Sequence, residues 1–163
     1  MESEVPIGTV YQFFASKDGV VDTLALRYLR EFEEIMAGLV EQAGKSKWED
    51  VIGLVFDAFV EQYRSRPVYL ELWLGRHIGP DVHQLDDENN EVLAQGLQSI
   101  IAAQEGLAEH EELLRACRLA ISMGDAMLQL AFRSDRNGDE SIIEESKRIE
   151  RLYLADLVDR LSG

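Results

Sequence analysis

Apolar residues recur at steps of three and four along most of this chain, a spacing that predicts a succession of amphipathic α-helices. The clearest stripe is Val20, Val21, Leu24, Ala25, Tyr28, Leu29, Phe32, Ile35, Met36, Leu39 and Val40. It marks one face of a long helix, with Ser16 as its expected N-cap and Asp18 where the helix dipole favours a negative charge. The stretch from Ala43 to Lys47 breaks the pattern. Val51, Ile52, Val55, Phe56, Phe59, Val60 and Tyr63 then repeat the period as far as Arg66-Pro67. A shorter apolar segment, Val68 to Leu74, closes at Gly75. The acidic run Asp86-Asp87-Glu88 is the expected start of the next helix, with Val92, Leu93, Leu97, Ile100 and Ile101 inward and Gly106 as its stop.

From Glu111 to Phe132 the pattern changes. Leu113, Leu114, Cys117, Leu119, Ala120, Ile121, Met123, Met127, Leu128, Leu130 and Ala131 occupy nearly every side, so this helix needs cover on more than one face. A polar turn from Arg133 to Gly138 leads to a last helix, from Glu140 to Leu161, carrying Ile142, Ile143, Ile149, Leu152, Tyr153, Leu157, Val158 and Leu161. Proline occurs three times and threonine twice, a usage that favours helix over strand. The predicted fold class is all-α.

The 163 residues fit a single domain of ordinary size, or one domain with a fragment of another. Lys and Arg total 16 against 31 Asp and Glu, a formal charge of −15, nearly all of it between residues 31 and 163. Such a charge opposes broad attraction to nucleic acid or an anionic membrane, so any DNA contact must be local. No apolar run approaches the ~20 residues that cross a bilayer, which predicts no membrane association. Cys117 stands alone, excluding an intrachain disulfide and suiting a reducing cytoplasm. Met1-Glu2-Ser3-Glu4 lacks the start of a secretory signal, and the expected location is cytoplasmic.

Residues 5 to 21 read as a short helix followed by the capped start of the long one. Gly8, Thr9, Val10, Tyr11, Phe13, Phe14, Ser16, Lys17 and Asp18 fall without a gap on a pattern of Gly-Thr-(Leu/Val)-Tyr-x-(Tyr/Phe)-Phe-x-(Ser/Asn)-Lys-(Glu/Asp). This segment resembles the third helix and following turn of the DNA-binding domain of the tetracycline-repressor (TetR/AcrR) family of transcriptional regulators. The resemblance implies that Ile7, Thr9 and Gln12 face the DNA groove, that Gly8 permits close backbone approach, and that Tyr11 and Lys17 contact phosphate. Phe13 and Phe14 would be core. Family members place about two helices before this segment, whereas four residues precede Val5. The expectation is a chain deficient in operator DNA binding, carrying only the remnant of a helix-turn-helix. Met1 is open to reading as a native start, an engineered truncation or a misassigned start.

By the same resemblance, residues 1–30 are the partial DNA-binding domain and residues 31–163 an effector-binding and dimerising domain. The whole is a one-component regulator, expected to be a repressor, with no enzymatic activity and no cofactor. Phe56, Phe59, Tyr63, Trp73, His77, Leu97, Ile101, Met123 and Met127 are the candidates to enclose a small apolar effector. Taken singly, each also fits a solid core. The last two helices suit a homodimer made from two copies of one hairpin, with Leu119, Leu130, Leu152, Tyr153 and Leu157 at the interface. A monomer whose last helix simply covers the preceding one is the alternative. Asp125 lies amid apolar residues, where a carboxylate needs a partner such as Arg118 or a second chain, unless it sits on the surface beside Gln129.

A helical interaction protein that sequesters a partner without touching DNA is the alternative function. Enzyme and metal readings find little support. His77, His83 and His110 have no glutamate three residues earlier, so the paired Glu-x-x-His arrangement of di-iron bundles fails. Asp135, Asn137 and Asp139 loosely resemble a calcium loop, but Gly138 is misplaced for one and Ser146 stands where a bidentate Glu is needed. Cys117, on an apolar helix, reads as a small buried residue.

Overall fold

The computed structural model describes residues 17–43, 46–75, 79–108 and 111–163. Side chains at 17, 18, 32, 33, 35–37, 39–43 and 69 lie outside that description, as does the whole segment before Lys17, on which the expected DNA contacts fall. The described residues form six helices: α1 (Lys17–Ala43), α2 (Trp48–Ser65), α3 (Pro67–Gly75), α4 (Pro80–Glu105), α5 (Glu111–Ser134) and α6 (Glu140–Ser162). There is no strand among them, and the chain is all-α.

Local chemistry sets most of the boundaries. α2 begins on extended Lys47, with Glu49 and Asp50 in its first turn and Arg64 in its last. Arg66 leaves the helical region, as a residue before proline tends to, and Pro67 opens α3. α4 starts at Pro80, earlier than the acidic run at Asp86 implies. Extended Gly79 caps it, and Pro80 occupies the first turn, where its missing N–H is harmless, with Asp81 on the helix dipole. The helix stops at Gly106, whose φ of 66° is left-handed and whose N–H returns to the Ala102 carbonyl.

Between α5 and α6, the Asp135 Oδ1 accepts from the Asn137 N–H at 2.7 Å. Asp139 caps α6 by accepting from Ser141 N at 2.9 Å and Ile142 N at 3.3 Å. The acidic residues of this turn therefore serve the backbone. Gly138 between them has a φ of 83°, and a Cβ there would lie 2.9 Å from Phe132 Cζ and 3.0 Å from Ile143 Cδ1.

α5 packs on α4 and α6, α1 packs on α4 and α2, and α2 also meets α3, α4 and α6. The core runs through all six helices: Ala25 and Leu29, Ile52 and Phe56, Leu70 and Trp73, Leu97 and Ile101, Leu113 and Leu128, Ile143 and Leu154. The inward face of α4 follows Val82, Ala94, Leu97 and Ile101. Val92, expected inward, is 67% exposed because it stands about 200° around the helix from Ala94.

Polar clamps tie neighbouring helices together. The Trp48 amide and indole N–H donate to Gln104 and Glu105 at the end of α4, each at 2.9 Å. Lys147 of α6 donates to Asp57 of α2 at 2.7 Å and to Glu144 at 2.6 Å. Gly138→Ala should destabilise the fold by about 1–3 kcal/mol, from the positive φ and the crowding together. Asp139→Ala should cost about 1 kcal/mol through the lost cap. Urea denaturation followed by circular dichroism measures both; unchanged midpoints would show that the turn is not held as described.

Candidate functional site

Asp125 is where three helices converge. Helix α5 turns Leu113, Ala120, Gly124, Leu128 and Ala131 into the core, and Asp125 follows Gly124 by 100° of rotation. Its carboxylate accepts from the Gln129 Nε2 at 2.7 Å and is also hydrogen-bonded by Trp73 of α3 and Tyr63 of α2. Burial pushes its protonation equilibrium upward, and these donors oppose that by favouring the charged form. Tyr63 is held edge-on against Phe132, with centroids 5.0 Å apart, and Phe59 lies 6.5 Å from Tyr63.

Asp86 of α4 faces this group. Burial first, then the nearby negative charges of Asp125 and Asp87, push its carboxyl up to about 7, against the Asn90 amide at 3.4 Å, which works in the opposite direction. Both aspartates lose much of their water yet keep some accessible surface. Phe59, Met123, Met127, Asn89 and Asn90 are likewise partly buried.

A second interior carboxyl belongs to Glu150 of α6, which is 4% exposed. Its Oε1 has no hydrogen-bond partner, and burial pushes the group up to about 8. Gly124 makes room for it, since a Cβ there would stand 2.5 Å from Glu150 Oε1 and 3.4 Å from Phe56 Cζ. The neighbouring Arg151 donates through Nε to the Glu49 carbonyl at 2.9 Å. Cys117 is buried, and its thiol is pushed up to about 12, which makes it inert as a nucleophile.

Of the effector candidates, Tyr63 and Trp73 come together at Asp125, with Phe59 beside Tyr63. Phe56 instead adjoins Gly124 and Glu150, while Leu97 and Ile101 belong to the core. His77 lies outside the described residues, as do Ile7, Gly8, Thr9, Tyr11, Gln12 and the Lys17 side chain. Arg118 does not pair with Asp125. It points to α4, donating to both Glu91 oxygens at 2.7 Å and holding that carboxyl down at about 2.

The expected interface residues divide. Leu119, Leu130 and Leu152 are 49%, 53% and 55% exposed, and Ile149 is 40% exposed beside them in the sequence of α6. Tyr153 is partly buried. Leu157 packs inside its own subunit at 3% exposure, because it shares the α6 face of Ile143, Glu150 and Leu154. Sequence reasoning missed Asp86 and Glu150. The signal was helical phase: Asp86 falls in step with Val82 and Ala94, and Glu150 with Ile143 and Leu154.

The family model described as "Tetracyclin repressor-like, C-terminal domain" matches residues 46–158. The chain belongs to this family. A crystal structure of a TetR-family transcriptional regulator from Streptomyces coelicolor is similar to the tetracycline-repressor-like chain at 28% identity, with a TM-score of 0.64. The match covers 94% of this chain and 79% of that one. No curated protein matches the chain. The family match begins between α1 and α2 and runs nearly to the end of α6.

Burial raises Glu150 from its ordinary value of 4.5 to about 8. The stability that comes from its neutral form is therefore complete below about pH 4.5 and lost as the pH rises toward about 8. Glu150→Gln should remove this dependence. The variant should gain on the parent by at most about 1.4 kcal/mol per pH unit across that window and show little difference below it. Denaturant melts at about pH 5 and about pH 8 measure the change; a difference that does not vary with pH would contradict the assignment.

Proposed function

We propose that this chain is the effector-binding and dimerising part of a tetracycline-repressor-like transcriptional regulator, acting as a repressor, with residues 31–163 forming the receptor and residues 1–30 belonging to the DNA-reading unit. The observation that carries the reading is the division of α5 between two environments. One side places Asp125 against Tyr63 of α2 and Trp73 of α3, and another leaves Leu119 and Leu130 bare. With Ile149 and Leu152, these residues give the α5–α6 hairpin an apolar surface that a second copy can cover. The acidic body contributes little attraction to DNA by itself, so the 163 residues hold operator DNA weakly.

Helix α1 is the lever between the two parts. At its start, Asp22 Oδ1 accepts from the Gly79 N–H at the head of α4, at 2.8 Å. Further along, Glu31 pairs with Arg66 at 2.6 Å, and the Arg66 guanidinium lies 5.1 Å from the centre of the Tyr28 ring. A guest that shifts α3 or α4 therefore pulls on α1, and by linkage a ligand that favours one setting of α1 weakens DNA binding in the other.

Sedimentation should place the protein near twice its 18.5 kDa chain mass at micromolar concentration. The double variant Leu119→Glu with Leu152→Glu should sediment as a folded monomer, because buried like charges oppose association. A monomeric parent would overturn the dimer. A thermal-shift panel of neutral, cationic and anionic amphiphiles should contain at least one compound that raises the melting point, since a ligand specific for the folded state stabilises it by about 2.7 kcal/mol at 100 times its Kd. A panel without any such compound would count against the receptor.

A further inference from the structure

We infer that charges at the ends of the bare hairpin face choose its partner: α5 of one copy lies along α6 of a second copy, with Arg115 and Arg133 set against the partner's Asp156, Asp159 and Glu145. This rests on the dimer proposed above and specifies which helices meet. Helical phase puts Arg115, Leu119, Ser122, Ala126, Leu130 and Arg133 within about 80° of one another on α5, and each is exposed. This stripe is apolar or small along its length and cationic at both ends. On α6, Glu145, Ile149, Leu152, Asp156 and Asp159 share an arc of about the same width and are exposed as well. Here the apolar residues have acids at both ends.

Two contacts show that the stripes share one face and how they align. Glu112, in phase with Leu119 and Leu130, pairs at 3.8 Å with Arg160, which is in phase with Ile149. Further along, Gly124 meets the Glu150 carboxyl. In the antiparallel hairpin this register sets Asp156 and Asp159 nearly level with Arg115, and Glu145 about one turn inside Arg133. Charge therefore brackets the apolar strip in the same way on both helices, with opposite sign. Whichever direction a twofold axis takes, α5 laid on the partner's α6 brings opposite charges together at both ends. Packing α5 on α5, or α6 on α6, brings like charges together.

The arginines are available for this role. Among the described residues neither Arg115 nor Arg133 enters an ion pair, and Arg133 donates to the neutral Gln129 at 3.2 Å. That is unusual in a chain with 31 Asp and Glu against 16 Lys and Arg. Glu145 already pairs with Arg148 and Asp156 with Arg160, each at 3.0 Å. Both pairs are exposed and lie within one helix, where such pairs are weak, and a carboxylate accepts from more than one donor. The formal charge of −15 opposes the approach of two copies, so a local match of opposite charges is what distinguishes this face from the rest of an acidic surface.

Two charge-reversed forms of the full chain test this by sedimentation near neutral pH and low salt, with circular dichroism confirming that each is folded. Arg115→Glu with Arg133→Glu makes both stripes acidic at their ends; Glu145→Lys with Asp156→Lys and Asp159→Lys makes both basic. Each form alone should self-associate at least about tenfold more weakly than the parent, and an equal mixture of the two should recover dimers of about the parent's strength. The lysine form separates local from overall charge, since it carries less net negative charge than the parent and should still pair worse. If either form fails to fold, Arg115→Glu and Asp156→Lys run the same mixing experiment as single changes. A parent dimer with both forms pairing as well as it does, a lysine form that pairs more tightly, or a mixture that stays monomeric would overturn the charge assignment and leave the dimer standing. A parent that is itself monomeric would overturn this inference together with the dimer.

Discussion

Apolar surface on a helix has to be covered, and α5 carries more of it than one neighbour can cover. Leu113, Ala116, Ala120, Leu128 and Ala131 are taken up by the subunit's own helices, and small residues along this face let α6 pack closely. Leu119 and Leu130 lie outside that contact and remain bare. The same helix therefore carries both the buried-side polar groups and a bare apolar face.

Carboxylates are the second constraint. Removing them from water is unfavourable unless donors or cations replace the lost hydration. The chain answers this differently at its two interior sites. Asp125 gathers donors from Gln129, Trp73 and Tyr63, whereas Glu150 is sealed against Gly124 with an oxygen left alone and avoids the penalty by staying protonated. The first is held by donors and keeps some exposure; the second is closed. That contrast gives Glu150 a structural, pH-dependent role. The clamps from α1 onto Gly79 and Arg66 tie that helix to the head of α4 and the end of α2.

Helix existence was legible across the described residues, because stripes of period near 3.6 are interrupted by Gly44, Pro67, Gly106 and Gly138 at or close to the breaks. The start of α4 was harder to read. Asp86-Asp87-Glu88 has the chemistry of a first turn, but Gly79-Pro80-Asp81 supplies the same chemistry earlier, and a helix begins at the first place it can. That shift accounts for Asp86 lying inside the helix and pointing to α5. Asp125 was visible as a carboxylate in apolar company, but its partners were not, since Tyr63 and Trp73 reach it only through tertiary packing. Glu150 was hidden for the opposite reason. A charged residue in an acidic helix reads as solvated until its phase with Ile143 and Leu154 is counted.

The most direct test is a crystal structure of the full chain. It should show two copies about a twofold axis with Leu119, Leu130, Ile149 and Leu152 covered at their contact. An isolated copy with that face bare to solvent would contradict the paired receptor.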